Sequence, residues 1–435
     1  TKFLQVRLFH SACKAVMEKP DDEDAVSSFQ ALMVSTASRV GTGNIVGVSS
    51  AICIGGFGAV FWMWGIAIIG GASAFVESTL AQIYKKKGED GTCYGGPAYY
   101  IEAALRCRPL AIAFCIAMIA TYAFGFNMLA SYNLQSTFAG FSFYHADVTP
   151  WIIGGILAVL TGWCLLGGGS RIVKVTSTLV PVMGVAYIVV ALIVVVINIR
   201  YIPDVFARIF REAFDFQAIF GAFAGSAMMQ GIRRGLYSNE AGIGSAPNAA
   251  ASANVTHPVK QGLVQMLSVY IDTIVICSAT AFMLLCSGIE PSTDLQGMPY
   301  VQAAVANTLG SFGTIFITIA LVLFAFTTLI GNFYYAEMGL GYICDKTPNK
   351  ALLMVFRLAA ALIVCFGATM EFSVAWNTAD VLMGLMAIIN LPVILILGGP
   401  AVRCMNDYLK QKKEGKNPVF KAKDIDLETK TDFWN

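Results

Sequence analysis

Charged side chains are scarce in this sequence. Asp, Glu, Lys and Arg together account for 13% of the 435 residues, about half of their share in soluble globular proteins. Hydrophobic residues account for 57%, and the mean hydropathy is +0.67. A soluble protein of this length could not bury so much apolar surface, so lipid must surround much of the chain. The net charge of only +2 favours no particular partner and gives no reason to expect nucleic-acid binding.

The sequence also lacks the motifs of catalysis and metal binding. Its eleven cysteines include no Cys-x-x-Cys pair, and most lie in apolar runs, where cysteine behaves as a small hydrophobic residue. None of the three histidines lies near the centre of an apolar run. No His-Glu-x-x-His, Walker A or Gly-x-Ser-x-Gly motif occurs. We therefore expect no enzyme and no organic cofactor.

Long apolar segments are what the sequence does contain. About 20 mostly apolar residues are needed to cross a bilayer as a helix. The predicted spans cover residues 27–54, 57–84, 109–138, 149–168, 172–198, 216–234, 258–287, 311–341, 350–369 and 373–400. The sequence thus predicts an all-α polytopic membrane protein with ten spans.

The distribution of lysine and arginine indicates the orientation. If residues 1–26 are cytoplasmic, 25 of the 29 basic residues fall on the cytoplasmic side and three fall outside, as the positive-inside rule requires. The predicted divisions are a cytoplasmic lead-in (1–26), a first five-helix repeat (27–200), an external amphipathic segment (201–215), a second repeat (216–400) and a cytoplasmic tail (401–435). The expected location is the cell membrane.

Two predicted spans are interrupted by glycine and polar residues. The first contains ASRVGTGNIVG (Ala37 to Gly47), and the sixth leads into GAFAGSAMMQGIRRG (Gly221 to Gly235). Five spans separate their starts, so the second set of five begins on the opposite side of the membrane. Interrupted spans at matching positions in two inverted halves are typical of the binding sites of secondary transporters.

Helix breaks at these positions have a chemical use. Unwound backbone within a bilayer is tolerated only where it is buried in protein or lines a wet cavity. Half-helix N-termini present N–H groups to a carboxylate, and half-helix C-termini present carbonyls to a cation. Gly41 and Gly43 adopt unusual backbone angles cheaply, and Thr42 and Asn44 add side-chain oxygens. We therefore predict a site for a zwitterion and a cation at these four residues.

Polar residues inside other spans are further candidates. Thr327 and Thr328 are adjacent in the middle of the eighth span. Arg39, which precedes the first break, is expected to pair with Glu77 or Glu337, since charges inside membranes are usually paired or functional. A role in a proton relay or in gating is the alternative. The remaining two ionisable residues are Asp272 and Asp380, the latter expected near the outer face and in contact with water. The small-residue stretch Arg233 to Ala253 is expected to form a helical hairpin on the inner side, with a role in gating.

Several long motifs resemble the alanine or glycine:cation symporter family. They are Ser27 to Val48, Gly58 to Trp64, Tyr94 to Ile101, Arg234 to Pro247, His257 to Thr273 and Phe326 to Glu337. The resemblance covers nearly the whole chain. Members of this family normally have one further span before FLQVR, so we expect that the first span of the full-length protein is missing from this chain.

The resemblance implies a five-plus-five inverted-repeat transporter of the leucine-transporter type. By this resemblance, the amides around Thr42 and Gly43 would bind the carboxylate of an amino acid. A sodium ion would be held by Ala37, Val40, Phe324, Thr327 and Thr328. Asn44 matches a ligand of a second sodium site, but the other ligands of that site are not evident, so a single coupling ion is expected.

The sequence departs from the family pattern at Ala130. Many members carry glutamine there, so Ala130 would enlarge the pocket and remove a polar contact. From the sixth span, Phe223, Gly225 and Met229 are expected to line the pocket, together with Thr327 from the eighth span. The implied function is sodium-driven uptake of a small neutral amino acid, alanine or glycine, by alternating access. A larger substrate such as glutamine remains an alternative.

Three further alternatives stay open. Coupling to protons through Glu77 or Asp272 could replace coupling to sodium. A channel would need a continuous pore and would show no saturation, and a membrane-embedded enzyme would need catalytic groups that the sequence does not contain. The sequence leaves the oligomeric state open, a monomer included.

Overall fold

A computed structural model shows a chain built almost entirely of helices. The structure describes residues 4–18, 20, 25–88, 92–215, 226–345, 348–427, 429 and 431–434. The α-helices of this part are α1 (Leu4–Arg7), α2 (Phe9–Met17), α3 (Ser28–Arg39), α4 (Val48–Gly55), α5 (Gly58–Ile83), α6 (Pro97–Leu105), α7 (Arg108–Ile119), α8 (Phe126–Ser136), α9 (Thr149–Leu166), α10 (Gly168–Ile197), α11 (Ile202–Ala213), α12 (Ala227–Asn239), α13 (Ala246–Ser252), α14 (Pro258–Val269), α15 (Ser278–Leu285), α16 (Met298–Ile343), α17 (Lys350–Gly367), α18 (Phe372–Ile396) and α19 (Gly398–Lys413).

Shorter elements complete the described part. Three π-helical segments precede α4, join α7 to α8 and join α14 to α15; they are Gly43–Gly47, Ala120–Gly125 and Tyr270–Cys277. Short 3-10 turns lie at Ile199–Tyr201, Thr293–Leu295 and Ala422–Ile425. Two short strands, β1 (Lys86–Lys87) and β2 (Cys93–Tyr94), pair antiparallel just after α5.

The first predicted span is broken in two. The helix α3 begins with a capping box, in which Ser27 Oγ accepts from the N–H of Gln30 and Gln30 Oε1 accepts from the N–H of Ser27. It ends at Arg39, because the backbone of Val40 leaves the helical region (ψ 87°). The chain is helical again from Gly43 to Gly55. The structure therefore has a break where the sequence predicts one.

The second break lies further along the chain than predicted. Residues 227–235 of the predicted break belong to α12, so the prediction is wrong for them, and residues 221–225 lie outside the described part. The backbone turns instead at Glu240 (φ 53°), Gly242 (φ 84°) and Gly244 (φ 91°), and α13 follows. The stretch expected to fold as a separate hairpin thus carries the break of the sixth span. Its residues 234–253 are nearly all buried.

Breaking a span changes how many helices are long enough to cross the membrane. Among the described residues, eight helices have the length and apolar character to do so, whereas ten spans are predicted from the sequence. The first span is missing from the eight because α3 has only 12 residues and the helix after the break, Gly43–Gly55, is also short. The sixth is missing because it lies partly outside the described residues and partly in α12, which has 13 residues.

The long helix α16 also differs from its predicted extent. It runs for 46 residues from Met298, whereas the sequence predicts a span over 311–341. Gly310 interrupts it with non-helical backbone angles (φ 60°, ψ −147°). A residue with a Cβ adopts a positive φ only with strain, so glycine suits this position. The kink separates a first helical segment from the span that carries Thr327 and Thr328.

The C-terminal residues fold back onto the end of α5. The N–H of Phe420 donates to the carbonyl of Thr256 at 2.9 Å, and the indole of Trp434 donates to the carbonyl of Gln82 at 2.7 Å. The ammonium of Lys85 lies 4.9 Å from the Trp434 ring centroid and has no exposure to solvent. The predicted tail is therefore part of the packed structure.

His257, between α13 and α14, should make folding pH-dependent. It is fully buried; its Nδ1 accepts from the N–H of Val259 and its Nε2 lies 3.2 Å from Asp407. Burial lowers the pKa of His257 from 6.5 to about 4, so the unfolded chain takes up this proton at a higher pH than the folded chain. We expect this residue to reduce stability by on the order of 3 kcal/mol as the pH falls from about 7 to 4.

Thermal unfolding in detergent micelles across this pH range would measure the effect. His257→Gln is the informative variant, because its amide can both accept from Val259 and donate to Asp407 without titrating. Because the variant does not titrate, the stability of the wild type relative to His257→Gln should fall by on the order of 3 kcal/mol between about pH 7 and pH 4. Parallel stability curves for the two proteins would contradict the prediction.

Candidate functional site

The two helix breaks meet at one small cavity. The empty space here is about 200 Å³, a volume that includes space open to solvent. The residues that line it are Ser38, Arg39, Gly41, Thr42, Gly43, Phe126, Tyr237, Glu240 and Thr328. They come from the first break, from α8, from the end of α12 and from α16. The structure thus brings the predicted residues Gly41, Thr42, Gly43 and Thr328 together.

Asn44 holds the first break in its irregular conformation. The N–H of Gly41 donates to Asn44 Oδ1 at 2.8 Å. In a regular helix this N–H would donate to the carbonyl of Ala37, four residues earlier. The Asn44 amide in turn donates to Asp272 Oδ1 at 2.7 Å and to Ser238 Oγ at 3.0 Å. Asn44, predicted as a binding residue, is therefore fully engaged in hydrogen bonds with the protein.

Of the five predicted ion ligands, Ala37 and Val40 lie at the end of α3, and Phe324, Thr327 and Thr328 lie on α16, which contacts α3. A Cβ placed on Gly331 of α16 would lie 3.2 Å from the carbonyl carbon of Ala37, so the two backbones are in close contact. Thr327 Oγ1 donates to the carbonyl of Phe324 at 3.0 Å. In contrast, Thr328 Oγ1 is buried and has no hydrogen-bond partner among the described residues. It lies 2.0 Å from a Cβ built on Gly41, next to the break.

The buried hydroxyl of Thr328 is suited to be a ligand of a cation. A buried hydroxyl without a partner is destabilising, and hydroxyl and carbonyl oxygens are suitable ligands for a hard cation. The end of α3 next to it supplies carbonyls that have lost their helical donors. This part of the chain therefore has the ligand chemistry that a sodium ion needs.

The other predicted pocket residues lie elsewhere or are not described. Ala130 is fully buried in α8, one turn beyond Phe126, and is not among the residues lining the cavity. Met229 is half-buried near the start of α12, two turns before Tyr237. Phe223 and Gly225 lie outside the described residues. The pocket residues of the sixth span that the sequence analysis missed are Tyr237 and Glu240.

Arg39 makes neither of the ion pairs expected for it. Its Nη1 contacts the backbone carbonyl and side-chain oxygen of Gln265 at 3.5 and 3.4 Å. Its Nε and Nη2 are buried, and neither has a hydrogen-bond partner within the part of the chain that the structure describes. Glu337 pairs instead with Arg357 at 2.6 Å.

Glu77 binds the unwound backbone of the second break. Its Oε1 accepts from the N–H of Gly242 at 3.2 Å, and its Oε2 accepts from the amide of Asn390 at 2.9 Å. The Asn390 amide also donates to the carbonyl of Gly242, and Asn390 Oδ1 accepts from the hydroxyl of Tyr100. Both backbone polar groups of Gly242 are thereby satisfied inside the protein, as a break in an apolar environment requires.

Asp380 is buried rather than wet. Only 7% of its side chain is exposed, and its carboxylate lies 2.6 Å from Arg234 and 3.1 Å from Arg233. The Arg234 guanidinium also stacks 4.2 Å from the ring of Trp376, which packs 5.1 Å from the Tyr237 ring. Because Tyr237 lines the cavity, Trp376 and the Arg234–Asp380 pair form successive layers over one side of the site.

Comparison with known proteins shows the family of the chain. The family model for the sodium:alanine symporter family matches residues 1–422. The chain belongs to this family. It is 45% identical to the amino-acid carrier protein AlsT of Bacillus subtilis over 97% of this chain and 89% of that protein. It is also 43% identical to the probable sodium/glutamine symporter GlnT of Bacillus subtilis, over 96% of this chain and 86% of that protein.

The fold is shared with a solved transporter. The structure of MhsT in complex with L-phenylalanine matches with a TM-score of 0.59 at 13% identity, over 86% of this chain and 89% of that one. The predicted fold class, an inverted-repeat transporter of the leucine-transporter type, is confirmed. As a member of the sodium:alanine symporter family, the chain is a multi-pass membrane transporter and not an enzyme.

Proposed function

We propose that the protein is a secondary active symporter that couples inward sodium movement to uptake of alanine or glycine by alternating access. The observation that carries the proposal is the meeting of two broken helices at one cavity, which Thr42, Gly43 and Glu240 line. Family membership supports cation-coupled transport of an amino acid. The identities of the coupling ion and of the amino acid are what the proposal adds to family membership.

The amino acid carboxylate would bind at the first break. A helix has N–H groups without intrahelical acceptors and the positive end of its dipole at its beginning, and a helical segment starts here at Gly43. Thr42 and Gly43 line the cavity at this point. The first-break backbone would thus supply hydrogen bonds to the carboxylate without any charged side chain.

Sodium would bind between α3 and α16. The proposed ligands are the carbonyls of Ala37, Val40 and Phe324 and the hydroxyls of Thr327 and Thr328. The buried Thr328 hydroxyl, for which the described residues offer no hydrogen-bond partner, supports this assignment. Because each bound species stabilises the closed arrangement for the other, their affinities should be linked.

Glutamine is the second candidate substrate. The probable sodium/glutamine symporter GlnT is 43% identical to this chain. Ala130, where many members carry glutamine, would leave more room on the α8 side if the pocket extends in that direction. Protons are the second candidate for the coupling ion, through the buried carboxylates of Glu77 or Asp272. In the proposed orientation, residues 1–26 and the C-terminal tail are cytoplasmic and the protein resides in the cell membrane.

Uptake into proteoliposomes tests the substrate and the ion together. Labelled alanine, glycine and glutamine would be supplied with a sodium gradient or a pH gradient imposed separately. We expect uptake of alanine with the sodium gradient alone, and a weaker sodium dependence in Thr328→Val. Thr318→Val is the matched control, because this buried threonine lies on the same helix and bonds to Thr137 away from the cavity. Uptake driven only by the pH gradient, or unchanged sodium activation in Thr328→Val, would overturn the ion assignment.

A further inference from the structure

The cavity has an aromatic wall on the side of α8 and α12. Phe126 and Tyr237 line it, with their ring centroids 4.9 Å apart. The remaining lining residues are polar side chains or glycines. The apolar part of a bound amino acid would therefore lie against these two rings.

Tyr237 is placed next to the backbone that we assign to the carboxylate. A Cβ built on Gly43 would lie 2.6 Å from an edge atom of the Tyr237 ring, so ring and peptide are already in contact. The ring is fixed from behind by Trp376, 5.1 Å away. The Cα of an amino acid bound at Gly43, and the first atoms of its side chain, must then occupy the narrow space in front of Tyr237.

We propose that Tyr237, together with Phe126, limits the size of the transported side chain. This inference rests on the proposed function and names the residues that restrict its substrates to small neutral amino acids. A packed aromatic ring excludes bulk because overpacking displaces neighbours that have no free space. Replacing the ring by a smaller apolar side chain should admit longer side chains without changing the contacts to the carboxylate.

Competition experiments test this proposal. Alanine, methionine and leucine would compete with labelled alanine for uptake by the wild type, Tyr237→Leu and Tyr132→Leu. Tyr132 is the matched control, since it lies on α8 and packs against Phe372. In Tyr237→Leu we expect methionine and leucine to become at least about tenfold more effective competitors relative to alanine. In Tyr132→Leu we expect no change.

The outcomes separate this proposal from the proposed function. If Tyr237→Leu is not produced in a folded form, Phe126→Leu should show the same shift in preference. If a variant still takes up alanine and the three amino acids compete in the same order as in the wild type, the assignment of Tyr237 is overturned. The symporter proposal would remain intact. Absence of sodium-dependent uptake in the wild type would instead overturn the proposed function.

A second, independent feature is a set of C-terminal residues that covers the end of α5. We call Pro418, Phe420, Phe433 and Trp434 the C-terminal clasp. The carbonyl of Pro418 accepts from the hydroxyl of Thr256, and the N–H of Phe420 donates to the carbonyl of Thr256, both at 2.9 Å. The clasp is thus bonded to the connection between α13 and α14.

The same clasp reaches α13 through two residues at the end of α5. The ammonium of Lys85 lies 3.9 Å from the Phe433 ring centroid and also donates to the carbonyl of Ala253, just after α13. The carbonyl of Gln82 accepts from the Trp434 indole, while its amide donates to the carbonyls of Ala250 and Ala253. Lys85 and Gln82 therefore connect the clasp to the helix that follows the second break.

We infer that the C-terminal clasp holds α13 against α5 and so favours the closed form of this end of the transporter. Since α13 carries one side of the second break, it must move relative to its neighbours if the cavity is to open at this end. Loss of the clasp removes a buried cation–π contact and the hydrogen bonds to Gln82 and Thr256. The population in which this end is open should then rise.

Hydrogen exchange in the full chain measures how often this end of the transporter opens. In Trp434→Ala and in Lys85→Met we expect the amides of α13 to exchange at least about tenfold faster than in the wild type, with α7 and α9 unchanged. Val419→Ala is the control, since this neighbour is half exposed. Unchanged exchange in α13, or an increase spread equally over all helices, would overturn the clasp.

Discussion

Replacing Gly41 by alanine should reduce sodium-dependent uptake by about a hundredfold, the equivalent of roughly 3 kcal/mol. A Cβ at this position would lie 2.0 Å from Thr328 Oγ1 and 3.1 Å from Thr328 Cβ. Rotation of the hydroxyl cannot relieve the second contact, so backbone must move where we place the sodium ligands. The loss should therefore appear as a rise in the sodium concentration needed for half-maximal uptake.

Gly184→Ala is the control for this substitution. Gly184 lies in α10, and a Cβ there would meet no atom within 4 Å. This variant should retain normal uptake and stability. Near-normal sodium activation in Gly41→Ala would show that Thr328 and the first break do not form the ion site.

Removal of the buried charge at Asp380 is the second change expected to have a large effect. Asp380 faces Arg233 and Arg234, and its side chain and that of Arg234 are 7% and 8% exposed. Loss of one partner from a buried pair costs about 3–5 kcal/mol, because the other charge is left uncompensated. Asp380→Asn should thus lower the thermal stability and uptake sharply. Arg234, which stacks on Trp376 next to Tyr237, would lose its ion-pair partner.

A double variant separates pairing from a simple loss of polarity. Arg234→Gln combined with Asp380→Asn removes both charges of the close pair and should recover part of the stability lost in the single variant. Asp204→Asn, at an exposed position of α11, is the control and should behave as the wild type. Strictly additive losses in the double variant would contradict a direct Arg234–Asp380 interaction.

The first break could be predicted from the sequence because of its surroundings. Gly41, Thr42, Gly43 and Asn44 interrupt a run that is otherwise apolar on both sides. An interruption of this kind inside a span has few explanations other than a buried or wet site. The adjacent threonines Thr327 and Thr328 stood out for the same reason, although only the structure distinguishes the bonded hydroxyl from the unpartnered one.

The second break could not be located from the sequence because a polar segment is expected outside the bilayer. The stretch from Asn239 to Ser245 is too polar for contact with lipid and therefore suggested a segment outside the bilayer. In the structure, Glu240 accepts hydrogen bonds from Ser38 and Ser245, and Glu77 and Asn390 bind Gly242. These partners are distant in sequence, so local composition cannot reveal that the segment is satisfied inside the protein.

Charge partners were unpredictable for a similar reason. Sequence alone could not indicate that Arg357 pairs with Glu337 or that Arg234 lies against Asp380. It assigned Arg233 and Arg234 to an inner loop, whereas both belong to α12. The excess of basic residues in the segments assigned to the inner side remains large without these two.

The most direct test of a shared site for sodium and alanine is whether the binding of one changes the affinity of the purified protein for the other. Alanine affinity would be measured at increasing sodium concentrations, in the wild type and in Thr328→Val. We expect sodium to increase the affinity of the wild type for alanine severalfold or more, an effect that the loss of the Thr328 hydroxyl should largely abolish. An alanine affinity that is independent of sodium in the wild type would contradict a site built from the two broken helices and α16.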